Sequence, residues 1–477
     1  MNRLTAWPRV LSRTTLLAST LALGACASLA PGGEERAAPA VQAPATWQSP
    51  LPHQGQRSDL ARWWAQFDDP LLSQLIEAAQ DASASVASAQ SRIVQARSAR
   101  TVAQAALGPS AAATGSASRG QPDISALVGT SLSAGLQAQW ELDLLGGLGA
   151  ARDAADARLR GAAASWHDAR VSVAAEVATQ YLALRACEAQ VVQSRLDAQS
   201  RSETARLTDL SARAGFQAPA SAALARASAA QANALLTQQQ AQCDLAIKAL
   251  VALSGLDEPA LRQRLAAGAA RLPQPAAIAV DAVPAQVLAQ RPDVEAAARD
   301  VLAAGADIAQ TRTQRLPRIT LAGSIGAQHF NGVGVNLDGA TWNLGPVAVT
   351  LPLFDGGAVD ARVQSAQARL AEARAAYAAR LRLAVREVED ALVQLQSTSA
   401  RSLDARTAAD GFAASFTATE ARYRGGLASL FELEDARRSA VQAQSTLIEL
   451  QRERVAAWIA LYRALGGGWT ADTAPAS

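Results

Sequence analysis

The amino-acid sequence consists of two similar halves, and this repeat constrains the fold more than any other feature. Five landmarks of the first half recur in the second at a nearly constant spacing of 208 to 212 residues in a chain of 477. They are Pro109 and Pro317, Gly147 and Gly357, Glu176 and Glu387, Gly215 and Gly426, and Gly255 and Gly467. A repeat with so few insertions predicts the same order of elements in both halves. We place the first repeat at 59–270, a linker at 271–290, the second repeat at 291–468 and a C-terminal tail at 469–477.

Residues 131–144 alternate without interruption between apolar and polar side chains. A period of two over 14 residues predicts a strand with one apolar and one polar face. The alternative is a half-buried strand of a soluble sandwich, but such strands usually have only about five or six residues. The length favours a tilted transmembrane strand whose polar face lines a water-filled lumen. The side chains predicted to face this lumen are Gln137, Gln139, Glu141 and Asp143.

Three further strands are predicted at about 110–118, 318–328 and 342–354, with exposed hairpin loops around 119–129 and 331–340. Four strands cannot close a barrel, because about eight is the smallest useful number. An open sheet edge is not tolerated in lipid. The strands must therefore be shared among subunits, and two, three or four copies of the chain would all give an acceptable barrel.

Long helices separate the strand pairs. Neither Gly149–Arg213 nor Ala358–Arg424 contains a proline, and about 65 residues of helix measure roughly 100 Å. A shorter helix returns after each of the turns at Gly215 and Gly426. These Ala-rich helices by themselves fit a coiled-coil stalk equally well, but strands of membrane type in the same repeat favour a stalk that continues into a pore.

The first 25 residues are predicted to be a signal peptide, with arginines before a short apolar stretch. The stretch ends Leu23-Gly24-Ala25-Cys26, which resembles a lipoprotein cleavage site and makes Cys26 the predicted lipidation site. The alternative is an ordinary signal peptide with a chance cysteine. Ala27 in place of an aspartate indicates the outer membrane. Residues 26–58, rich in Pro, Ala, Gly and Gln, are predicted to be an extended linker.

Two cysteines are placed symmetrically about the first helix turn, because Cys187 and Cys243 each lie 28 residues from Gly215. In an antiparallel helix pair they would lie at the same height, and an oxidising periplasm favours a disulfide between them. The alternative is that both are small buried residues on separate faces.

Composition excludes several classes of protein. A net charge of +2 over the whole chain leaves no basic stripe for a nucleic acid. Three histidines and three cysteines, all far apart, provide no metal cluster and no catalytic set. Glu141 and Asp143 share a face, but no nucleophile or metal ligand accompanies them, so we interpret them as part of the lumen wall. We therefore do not expect an enzyme.

The sequence resembles the TolC-like outer-membrane efflux proteins, in particular the lipoproteins that serve resistance-nodulation-division (RND) pumps. The motifs that carry the resemblance span nearly the whole mature chain. They are Trp63–Leu71, Trp140–Leu144 with Gly146-Gly147, Arg291–Val294, Leu351–Gly357 and Leu461–Trp469. The resemblance implies an α+β membrane protein that trimerises into a 12-stranded barrel continuous with a periplasmic helical barrel. It also implies a periplasmic adaptor and an inner-membrane RND pump as partners, with no cofactor except the lipid on Cys26.

The resemblance also implies a gate at the helix turn near Gly426. Residue by residue, Asp435 and Arg438 fall on the gating ion-pair positions of the family, and Phe431 stands where a leucine constriction is common. At a spacing of i,i+3 one helix face presents both charges to neighbouring subunits. The alternative is an ordinary exposed charge pair of small energetic value. The first-half turn carries Ala220, Leu224 and Ala227 instead, and we expect it to pack rather than to gate.

Three functions are compatible with these features. The first is a passive outer-membrane exit duct for drugs and other toxic small molecules, held in the membrane by the lipid and reaching into the periplasm. The second is an outer-membrane duct for type I protein secretion. The third, from another class, is a structural coiled-coil envelope lipoprotein without a pore, which the 14-residue amphipathic strand argues against. The sequence carries no signal for the identity of the substrate.

Overall fold

The computed structural model describes residues 47–49, 60–121, 128–274, 288, 291–332 and 334–469. Their elements follow the same order in both halves. The first half contains α1 (Pro70–Ala82), α2 (Ala84–Ala105), β1 (Ser110–Gly120), β2 (Gly129–Leu142), α3 (Gly147–Arg213), α4 (Pro219–Ser254) and α5 (Glu258–Ala266). The second contains α6 (Pro292–Thr313), β3 (Arg318–Gly332), β4 (Val335–Thr350), α7 (Ala358–Arg424) and α8 (Leu430–Ala464). The prediction of a duplicated α+β chain with four strands and long helices is confirmed.

The residues divide into two compact units. The first contains residues 96–159 and 298–375 and includes the whole sheet, whereas the second contains 160–297 and 376–477 together with 41–95. No helix among the described residues is long and apolar enough to cross a membrane.

The four strands of the first unit form one sheet in the order β1-β2-β3-β4, and every neighbouring pair is antiparallel. The predicted strand bounds need correction at the ends. The strand predicted at 131–144 is Gly129–Leu142, and the last strand is Val335–Thr350 rather than 342–354. The predicted exposed loop at 331–340 is therefore largely strand. The alternation from Val335 onward is weak in the sequence, and pairing with β3 decides it.

Strands β2 and β3 approach unusually closely where Gly135 pairs with Gly326. A Cβ on Gly135 would lie 2.6 Å from the carbonyl oxygen of Ile325, and a Cβ on Gly326 would lie 2.6 Å from the carbonyl oxygen of Ala134. Real side chains do not tolerate such distances, so both positions require glycine.

Helices α3 and α7 have 67 residues each, about 100 Å at 1.5 Å per residue. The turns that follow them contain Gly215 and Gly426 with φ of 79° and 73°, a conformation that glycine adopts without steric cost. The helix predicted to run without interruption before β1 is broken at Ser83, which has extended backbone between α1 and α2.

The main core lies in the second unit. Trp63, Tyr181 and Leu461 are fully buried there, and helices α1, α3, α4, α7 and α8 all contribute apolar side chains. Trp63 belongs to a short 3-10 helix, Leu60–Phe67, and its ring lies 5.4 Å from that of Tyr462. Trp469, which we assigned to the C-terminal tail, is itself buried, so the packed body includes it.

Candidate functional site: the sheet faces and the α7–α8 turn

One face of the sheet exposes a row of large apolar side chains. Leu136 of β2 pairs with Ile325 of β3, which pairs with Trp342 of β4. These three side chains are 57%, 62% and 79% exposed in the protomer. An apolar row of this size across three strands fits a surface in contact with lipid rather than water.

The opposite face is polar at the same level. Gln137 pairs with Ser324, and Ser324 pairs with Asn343. Gln139 and Glu141 follow on the same face of β2 because residues of equal parity share a face of a strand. Three of the four predicted lumen residues therefore lie together on the polar side of the sheet.

Asp143, the fourth predicted lumen residue, has a different role, and that prediction was wrong. It lies beyond the end of β2, and its carboxylate accepts hydrogen bonds from the backbone N–H groups of Leu148 (3.0 Å) and Gly149 (2.7 Å). Asp355 repeats this at the start of α7, where Gly357 and Val359 donate over 2.9 and 2.8 Å. Both carboxylates satisfy free N–H groups and favour the positive end of a long helix. The alternating pattern ended in a capping residue of the right parity.

The predicted gate residues lie on one exposed face of α8. Phe431 is 71% exposed, and Asp435 and Arg438 are also exposed. Within the described part of the chain, neither Asp435 nor Arg438 forms an ion pair. The single chain therefore leaves both charges free for contacts between subunits.

The start of α8 is well defined, which fixes where these side chains lie. Ser429 is the N-cap and accepts from the backbone N–H of Glu432, whose carboxylate in turn accepts from the backbone N–H of Ser429. Such a capping box holds the first turn of a helix in one geometry. The equivalent first-half residues Ala220, Leu224 and Ala227 are exposed as well. The expectation that they pack was wrong, because Ala222, Ala225 and Ala229 occupy the packed face instead.

A buried charge network lies directly behind the gate face, and sequence reasoning missed it. Glu434 accepts hydrogen bonds from Arg201 of α3 (2.9 Å) and from the hydroxyl of Ser228 of α4 (2.8 Å). Arg437 forms an ion pair with the other oxygen of Glu434. Asp197 accepts from Arg201 on the far side over 2.9 to 3.0 Å. Two carboxylates and two guanidinium groups thus link helices of both repeats.

Arg437 is the most deeply buried member, with 2% of the residue exposed. Its Nη2 donates to the hydroxyls of Ser200 and Thr204, each over 3.0 Å. Burial lowers the pKa of the Arg437 guanidinium, and the charge of Glu434 opposes that shift. The sequence did contain a signal for this network. Leu430, Leu433, Glu434 and Arg437 follow the i, i+3, i+4, i+7 pattern of a buried helix face, with two charges in apolar positions.

Next to the network, an apolar cluster joins the two helix pairs. Ala225 of α4 packs with Leu430 and Leu433 of α8. The hydroxyl groups of Thr208 and Tyr423 lie 3.0 Å apart, which connects α3 to α7. The exposed gate face is therefore carried by a helix whose opposite face is anchored to the first repeat.

Cys187 of α3 and Cys243 of α4 form a disulfide in the structure, with their Cα atoms 5.5 Å apart. The predicted lipidation site, Cys26, lies outside the described residues. Among those residues, no cluster of His, Cys, Asp and Glu has the arrangement of a metal site.

Comparison with known families matches the chain to the model described as "Outer membrane efflux protein" over residues 75–256 and 283–467. The two matched stretches correspond to the two repeats, and together they cover well over half of the chain.

Characterised relatives match over nearly their full length. The pyoverdine export outer membrane protein OpmQ of Pseudomonas putida is 32% identical over 472 residues, which is 96% of this chain and 98% of the relative. The outer membrane protein OprJ of Pseudomonas aeruginosa is 31% identical over 459 residues, 94% of each chain.

Solved structures show the same fold. The outer-membrane channel OprN superposes with a TM-score of 0.80 at 26% identity and covers 91% of this chain and 99% of its own. The outer membrane protein VceC of Vibrio cholerae gives a TM-score of 0.74 at 28% identity, over 87% of this chain and 100% of its own.

Proposed function

The chain belongs to the outer membrane efflux protein family, and we propose that it forms the outer-membrane exit channel of a tripartite efflux pump. The observation that carries this proposal is the two-faced sheet. Its apolar row through Leu136, Ile325 and Trp342 and its polar row through Gln137, Ser324 and Asn343 lie on opposite sides of the same strands. A wall of this kind separates lipid from water.

The sheet requires further copies of the chain. Strands β1 and β4 lie at its two edges, and neither has a second partner strand among the described residues. Three copies would supply 12 strands and close the sheet. A homotrimer with a 12-stranded barrel is consistent with the solved channels of the family.

Transport through such a channel is passive, so the energy must come from elsewhere. We assign that role to an inner-membrane RND pump, reached through a periplasmic adaptor. The names of relatives support export of small molecules: OpmQ is a pyoverdine export protein, and TtgI of Pseudomonas putida belongs to a toluene efflux pump. For this chain we propose drugs or other toxic small molecules as the substrate class.

The gate belongs to the same proposal. Three copies of Asp435, Arg438 and Phe431 around a three-fold axis would form stacked rings of charge and bulk at the narrow end of the channel. Their exposure in the protomer and the anchoring of the opposite face of α8 support this role.

The anchor is the last part of the proposal. Lipidation of Cys26 would hold the mature N-terminus in the outer membrane, and more than one acyl chain is needed for stable anchoring.

Capture of partners from native membranes tests the function. After mild crosslinking and affinity purification of the tagged full chain, we expect mass spectrometry to find an adaptor together with a proton-driven pump. Recovery of an ATP-driven exporter would instead favour type I secretion. If only this chain is recovered and it gives no conductance in planar bilayers, it is a structural lipoprotein and the proposal fails.

A further inference from the structure

A short N-terminal segment, Trp47–Ser49, is held on helix α7 by a single carboxylate. The backbone N–H of Gln48 donates to Oε1 of Glu389 over 2.6 Å, and the backbone N–H of Ser49 donates to Oε2 over 2.9 Å. Two successive amides therefore bind the two oxygens of one side chain about 340 residues away in the sequence. Hydrogen bonds to a charged acceptor are roughly twice as strong as those between neutral groups.

An apolar contact supports this polar one. The side chain of Trp47 packs against the main core, to which Val388, the neighbour of Glu389, also belongs. The segment is thus held by a buried ring on one side and a carboxylate on the other.

Glu389 is prepared for this contact. Burial by itself would raise the pKa of Glu389, but hydrogen bonds from Ser49 and Gln48 outweigh the burial and hold the pKa below its ordinary value. The side chain is therefore an ionised acceptor at neutral pH, as the two amides require.

We propose that Glu389 is a positioning residue that ends the free part of the lipid tether at Trp47. This inference rests on the proposed lipidation of Cys26. From Cys26 to Trp47 there are 21 residues, which span at most about 70–75 Å. Without the contact, the free tether would extend to Leu60 over 34 residues, or about 110–120 Å. The contact therefore limits how far Glu389 can lie from the membrane surface.

Hydrogen exchange of the full-length trimer in lipid nanodiscs tests the contact directly. We expect the amides of Gln48 and Ser49 to be protected in the wild type and to exchange about tenfold faster in Glu389→Ala, the effect of losing one charged acceptor. Glu389→Gln should be intermediate, because its amide oxygen still accepts. The matched control is Asp390→Asn, the next residue along α7, which is about 70% exposed and should leave exchange unchanged.

Equal exchange in wild type and Glu389→Ala would overturn the contact, and so would an equal effect of Asp390→Asn. The non-lipidated Cys26→Ser protein should retain the protection, because the contact does not need the lipid. Loss of protection in that variant would also overturn the proposal. Heat-resistant trimers on a gel establish that each variant is folded.

A series of deletions within residues 28–45 tests the tether. We expect assembly in the outer membrane to fail beyond a certain deletion, and Glu389→Ala to tolerate about 13 more deleted residues, the distance from Trp47 to Leu60. An unchanged threshold would overturn the role in the tether. If labelled palmitate is not incorporated at Cys26, the proposed lipidation fails, whereas the exchange result still decides the contact.

Discussion

Arg201 and Glu434 are joined by an ion pair of 2.9 Å although 233 residues separate them in the chain. Arg201 lies on α3 of the first repeat and Glu434 on α8 of the second, and their side chains are only 16% and 11% exposed. The pair links the helix that carries the predicted gate residues to the helix that carries the disulfide.

Removing Glu434 should destabilise this region strongly. In Glu434→Ala both Arg201 and Arg437 lose their carboxylate in a buried environment, which costs about 3–5 kcal/mol for a broken buried pair. Thermal unfolding of the trimer measures the loss. The control is Glu449→Ala, whose partner Arg452 is at the surface, so that a change of about 0.5 kcal/mol or less is expected. Equal effects of the two variants would contradict the structural role of the network.

Removing the exposed charges of α8 should instead affect conductance. We expect Asp435→Ala and Arg438→Ala to raise single-channel conductance and antibiotic leakage several-fold, because rings of charge at a constriction are lost, while the unfolding temperature changes little. Asp410→Ala is the matched control, since Asp410 is an exposed carboxylate on α7. If all three variants conduct like the wild type, the gate lies elsewhere.

The disulfide between Cys187 and Cys243 should be present in the isolated protein. It closes a loop of 56 residues, and such a crosslink stabilises by about 4 kcal/mol in the chain-entropy model. Both thiols should react with iodoacetamide only after reduction, and the double serine variant should unfold at a lower temperature. Labelling of both cysteines without reductant would show that they are not paired in the cell.

Stability in mild acid should depend on Asp293. Its carboxylate accepts from Nε (2.9 Å) and Nη2 (2.7 Å) of Arg291, and the two side chains are 9% and 5% exposed. Burial alone would raise the pKa of Asp293, but Arg291 outweighs it and holds the pKa below the ordinary value of 3.8.

Because the pKa of Asp293 is lower in the folded than in the unfolded chain, its stabilising effect is complete above that ordinary value and disappears as the pH falls through the folded pKa. Asp293→Asn should therefore cost about 3–5 kcal/mol at pH 7 and less as the solution is acidified below the ordinary value. Unfolding at a series of pH values measures this, with the exposed Asp390→Asn as control. A difference independent of pH would contradict the assignment.

Glycine at position 135 should be essential for the sheet. In Gly135→Ala the new methyl group would lie 2.6 Å from the carbonyl oxygen of Ile325, and overpacking of this kind costs about 1–3 kcal/mol. We expect fewer heat-resistant trimers on gels. Gly339→Ala is the control, because no atom lies within 4 Å of the added group. Normal trimer yield from Gly135→Ala would show that β2 and β3 can separate there.

Predictions from local patterns succeeded for elements and failed at their ends. The alternation in 131–144 correctly indicated a two-faced strand, but it extended the polar row to Asp143, which caps α3 instead. Alternation records parity, whereas the end of a strand depends on where the partner strand stops. For the same reason β4 begins at Val335, earlier than its own alternation suggests.

The sequence by itself determined the duplication, the order of helices and strands, and the two faces of β2, because periods of two and of 3.6 residues and helix-ending glycines are local properties. Only the tertiary structure decided which charges are buried and which are free. Glu434 and Asp435 are adjacent carboxylates on one helix, yet one contacts Arg201 and the other faces outward. That difference depends on which helix packs behind them, and the packing brings together residues more than 200 positions apart.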